Sequence, residues 1–127
     1  MLGWLFVAEA LVDLAFGIAL IAAPAALLSI YGITTDQAGE FLGRFLGGTL
    51  VGFGLLSWQA RGWADTDERR LLIRVLFVTT VLGLLAAAIY QVQPGVPIGA
   101  AVFVVLTLLF ALAWGYFAWK TFPKTEE

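Results

Sequence analysis

Apolar residues run along this chain in four long blocks, at about residues 2–23, 39–59, 70–92 and 97–119, broken only by short polar stretches. A helix that crosses a bilayer needs about 20 mostly apolar residues, and each block meets that length. Pro24 interrupts the first block, and AALLSIYG after it predicts a short amphipathic piece over 25–31. The separators carry turn and cap chemistry. YGITTDQ offers Asp36 as an N-cap for the second helix, RGWADTDERR offers Thr66 or Asp67 for the third, and QPGVP places two prolines around a glycine. Short connections imply antiparallel neighbours. The expectation is an all-α fold, an up-down-up-down bundle of four transmembrane helices in a single membrane domain over 1–127.

Composition strengthens that reading. The chain is 61% hydrophobic and 13% charged over 127 residues, whereas soluble domains average about 25% charged. A soluble domain this small exposes too much surface to hide so many apolar side chains. The net charge is −2, and no basic patch suggests nucleic acid. The chain contains no Cys and no His. Thiol chemistry, Cys-ligated metals, the usual haem and copper ligands and the commonest general base are therefore absent. No catalytic residues, metal site or cofactor are expected. The first block has no positive segment ahead of it and holds two acids, so it reads as a retained span and not as a signal peptide.

Orientation follows from the cations. Arg61, Arg69, Arg70, Arg74, Lys120 and Lys124 fall on one side and Arg44 alone on the other, which places both termini and the central loop in the cytoplasm. Trp4, Trp58, Trp63, Trp114 and Trp119 fit an interfacial belt on that side, with Lys120 snorkelling beside WGYFAWKTF. Tyr31 and Tyr90 would mark the outer face.

The conspicuous chemistry lies in the first block. Glu9 and Asp13 are four residues apart and share a helix face. At 1.5 Å per residue they lie roughly 10 and 16 Å below the end of the helix. A charge at that depth costs at least ~2.5–3.5 kcal/mol, so each acid must find a partner or take a proton. Depth alone suggests buried ion pairs Glu9–Arg74, with Arg70 one turn nearer water, and Asp13–Arg44. Glu40, one turn before Arg44, competes for it. Thr49, Thr79, Thr80 and Thr107 offer neutral partners near mid-span. These groups either fix helix register or form a proton, cation or ligand site.

GRFLGGTLVGFG nests two small-xxx-small spacings, Gly43–Gly47 and Gly48–Gly52. Lipid gives helices no hydrophobic reason to associate, so close backbone approach takes over. Helix packing within the chain is the main expectation, with a homodimer face as the alternative.

PAALLSIYG, then GRFLGGTLVGFGLLSWQAR and an Arg-rich turn, resemble small bacterial four-helix membrane proteins of unknown function in the DoxX-like neighbourhood. The resemblance implies a bacterial inner membrane and carries over no catalytic residues. The leading functional expectation is a non-enzymatic membrane bundle that acts as an accessory or interaction subunit, or holds a lipid or apolar ligand. Its partners would be the bilayer, a second copy or a larger membrane complex. The alternative is a small proton- or cation-coupled transporter or channel, working as a dimer through Glu9, Asp13 and Arg44.

Overall fold

A computed structural model describes residues 1–122; Lys124, counted above for orientation, lies outside them. The described residues are all-α, with five helices: α1 (Leu2–Ala22), α2 (Pro24–Ile30), α3 (Gln37–Ala60), α4 (Asp67–Gln91) and α5 (Ala101–Thr121). A single 3-10 turn, Ile98–Ala100, leads into α5. Four segments are long and apolar enough to cross a membrane: α1, α3, α4 and Ile98–Thr121. The shortest of the four long helices has 21 residues, about 32 Å at 1.5 Å per residue, which matches a hydrocarbon core of about 30 Å.

The breaks have local causes. Pro24 lacks an N–H and pushes the residue before it out of the helical region. Ala23 accordingly sits at φ −151°, ψ 70°, and α2 restarts with the proline in its first turn. Asp36 caps α3 by accepting from the Gly39 N–H at 2.8 Å. Thr66, not Asp67, caps α4, accepting from the Arg69 N–H. Gly32 and Gly95 take positive φ, 75° and 81°, in the two tight turns that follow α2 and α4.

The chain divides into two compact units, one of them Met1–Gly62 with Gly95–Ala100. In that unit α1 and α3 run antiparallel at very short range. A Cβ built on Gly17 would lie 2.8 Å from the Gly47 carbonyl oxygen, and one on Gly47 would lie 2.7 Å from the Gly17 oxygen. Farther along the same seam, Gly43 meets Pro24 and Leu20, and Gly54 meets Leu14 and Ala10. Gly48 and Gly52 behave differently: a Cβ on either would meet nothing within 4 Å. Of the two nested spacings, only Gly43–Gly47 belongs to the seam. Residues four and five positions apart differ by about 40° and 140° around a helix, so the second pair turns well away from the first.

The other unit is built on α4 and α5, also antiparallel. Phe77 packs on Gly115, and Thr107 lies beside Gly83. Ala111, Trp114 and Ala118 form the buried stripe of α5. Trp114 is fully buried, whereas Trp4, Trp58 and Trp119 are exposed. Trp114 is therefore a core residue and not part of the belt. The small residues one turn before and after it leave room for the indole.

Candidate functional site

The face of α1 that carries the two acids is buried. Phe6, Glu9, Ala10, Asp13, Gly17 and Leu20 follow a three-four spacing that lines one side of a helix. Ala10, Gly17 and Leu20 from this arc touch α3. Glu9 lies at one edge of the arc and Asp13 about 40° further in, near its middle, and each is only 9% exposed. Two carboxyl groups one turn apart are thus buried on one face of a helix of membrane-spanning length, where an ionised acid is costly.

The arginines expected to neutralise them do other work. Arg74 donates from Nε to Thr121 Oγ1 at 2.9 Å and from its terminal nitrogen to the Thr121 carbonyl oxygen. Its guanidinium also lies 4.8 Å from the centre of the Phe122 ring. Arg44 donates from Nε to the Ile21 carbonyl oxygen at 3.2 Å and sits 3.8 Å from Glu40, with its side chain half exposed. Neither forms the buried ion pair with Glu9 or Asp13 that depth alone suggested. Glu40, the competitor recognised for Arg44, holds it.

The physical reason is common to both. The last carbonyls of a helix have no partner within it, carry the negative end of the helix dipole and are costly to leave bare near hydrocarbon. Ile21 lies in the last turn of α1, cut short by Pro24, and Thr121 is the last residue of α5. Arg61 repeats the pattern at the end of α3, donating to the Trp58 carbonyl oxygen while its guanidinium stacks 3.9 Å over the Trp58 ring. Gln93 closes α4 by donating to the Ile89 oxygen at 3.1 Å. Every long helix therefore has a side-chain donor on a carbonyl of its last turn or close to it.

The remaining sequence candidates resolve similarly. Thr49, Thr80 and Thr107 return their hydroxyls to the carbonyls of Phe45, Leu76 and Phe103 in their own helices, a common fate for threonine inside a helix. Thr79 is exposed. Arg70 makes a bidentate bond to Asp65, at 3.0 and 2.9 Å, and lies 3.7 Å from Asp67. That bond holds the Asp65 carboxyl below the usual carboxylate range, against a smaller opposing effect of partial desolvation.

One polar residue went unnoticed in the sequence. Ser57 is 1% exposed, and its hydroxyl has no hydrogen-bond partner among the described residues. It lies on the buried face of α3 with Gly47, Gly54 and Ala60. Spacings of seven, three and three place it there, but a lone serine in an apolar run carries no stronger signal of its own.

A model built for a domain of unknown function, DUF8292, matches residues 1–117. The chain belongs to the DUF8292 family. No curated protein and no solved structure matches it. The DoxX-like resemblance gains no support, since no DoxX family match accompanies the DUF8292 one. The DUF8292 match takes in Glu9, Asp13, Arg44 and Arg74, whereas Lys120, Thr121 and Phe122 lie beyond its end.

Proposed function

We propose that this DUF8292 protein is a non-catalytic membrane protein that works by binding. In this reading it is an accessory or interaction subunit, or a holder of a lipid or apolar ligand, in a bacterial inner membrane with both termini in the cytoplasm. The supporting observation is the burial of Glu9 and Asp13 on one face of α1, while Arg44 and Arg74, the cations proposed to pair with them, seal helix ends instead. Two nearly dry carboxyl groups suit a polar clasp within an apolar protein better than a water-filled path. The absence of His and Cys from the sequence leaves little for acid–base or nucleophilic catalysis.

The second reading, a proton- or cation-coupled transporter acting as a dimer, draws on the same two acids, because ionisable groups within a membrane often mark ion paths. It loses Arg44 as a member of its site, since that side chain is half exposed and bound to Glu40 and Ile21. Asp13→Asn separates the readings. Under the binding reading, proteoliposomes of the unaltered protein show no proton uptake above empty vesicles, and the variant changes only folded yield in detergent. Proton uptake by the unaltered protein that disappears in Asp13→Asn would establish the transporter instead.

A further inference from the structure

At one end of the α4–α5 unit, Asp67, Arg70, Arg74, Lys120, Thr121 and Phe122 line a cavity of about 440 Å³. Three cations face one carboxylate there. Arg70 is already matched by Asp65 and Asp67. Arg74 and Lys120 are not: neither takes a carboxylate among the described residues. Arg74 uses two of its five N–H donors on Thr121. The Thr121 hydroxyl is itself fixed by donating to the Ala118 carbonyl at 2.7 Å. The guanidinium is thus held in place with donors to spare. The Lys120 ammonium rests 4.4 Å over the Tyr116 ring, a contact that steers its charge without neutralising it.

The cavity lies where the apolar span of α5 stops. Phe122 lines it, and Tyr116 and Trp119 near the same end of α5 are exposed with it, as aromatics are at the level of lipid headgroups. An arginine and a lysine without carboxylate partners lining one concavity offer the donors and charge that a phosphate group takes. Basic pockets at the ends of membrane helices draw anionic lipids for the same reason. We propose that this cavity binds the phosphate of an anionic phospholipid headgroup through Arg74 and Lys120, with Thr121 positioning the arginine and Phe122 lining the apolar side. The proposal rests on the membrane reading above and gives its lipid partner a chemical class.

The test measures lipid retention by the purified full-length protein, using native mass spectrometry after reconstitution into mixed phosphatidylglycerol and phosphatidylcholine vesicles. Phosphatidylglycerol is expected to be retained over phosphatidylcholine by about tenfold or more. Lys120→Gln, which leaves the Arg74–Thr121 bonds intact, is expected to reduce that preference about fivefold, and Arg74→Gln at least as much. Arg61→Gln removes an equal charge outside the cavity and is expected to change the preference less than twofold. Equal retention of the two lipids overturns the proposal, as does an Arg61→Gln effect as large as that of Lys120→Gln. Displacement of phosphatidylglycerol by millimolar inorganic phosphate would assign the site to free phosphate and overturn the lipid assignment. A protein that enters vesicles but shows no headgroup preference sinks the headgroup site alone. A chain that stays out of the vesicles sinks the membrane reading with it.

Discussion

Gly47 and Gly48 are neighbours in α3, yet a single methyl group on each should have opposite consequences. A Cβ on Gly47 would sit 2.7 Å from the Gly17 carbonyl oxygen and 3.0 Å from both Ile21 and Leu20 side-chain atoms. Ordinary contact is 3.4–4 Å, so α1 and α3 must separate by roughly 0.7 Å or more at their closest point. A gap of 0.5–1 Å forfeits about a quarter to a half of the dispersion energy of each contact it opens. Forcing a methyl group into a packed seam costs about 1–3 kcal/mol. Gly48 has open space at the same depth, and there alanine meets no such penalty. Both substitutions carry the same gain in intrinsic helix preference, at most about 1 kcal/mol, which cancels when the two are compared. Gly47→Ala is therefore expected to be less stable than Gly48→Ala by about 1–3 kcal/mol. The assay is reversible unfolding in detergent micelles by added SDS, followed by circular dichroism. Equal midpoints for the two variants would refute the assignment of the Gly43–Gly47 pair to the α1–α3 seam. A loss confined to Gly48→Ala would place the seam on the other face of α3.

The arginine caps make a second prediction. Arg44→Gln is expected to cost only about 0.5–1 kcal/mol, because the bonds it loses are largely exposed. In a double-mutant cycle with Asp13→Asn the effects are expected to add within about 0.5 kcal/mol, and a larger coupling would restore the buried pair. The third concerns pH. A carboxyl held below its usual range contributes stability at neutral pH, and that contribution fades as pH falls through the folded value. Titration of the Asp65 carboxyl by NMR is expected to give a midpoint that rises toward the ordinary aspartate range in Arg70→Gln; an unchanged midpoint would show that Arg70 does not hold it.

Where the helices run was legible, and why the arginines sit where they do was not. Twenty-residue apolar blocks, Pro24, Asp36 and Thr66 mark helix bodies and ends through local chemistry, which sequence displays directly. The shared face of Glu9 and Asp13 followed from their spacing, and its burial from the cost of a charge at that depth in hydrocarbon. Pairing did not follow from depth, because depth ranks partners across the membrane and ignores what lies along the chain. The carbonyls ending α1 and α5 carry no side-chain signature, yet they are what Arg44 and Arg74 bond. Both glycine pairs looked alike on paper. Only the partner helix decides which of them meets a neighbour, and its rotation is a tertiary fact. Trp114 is a related case: it lies at the same end of its helix as an interfacial tryptophan would, and only tertiary packing makes it a buried one.

Because Arg44, Arg61 and Arg74 each donate to a carbonyl at a helix terminus, removing any one of them leaves a helix end without its side-chain seal. Under the proposed orientation Arg61 and Arg74 also belong to the charge bias that sets topology, so relocating either would unseal a terminus at the moment it changed that bias.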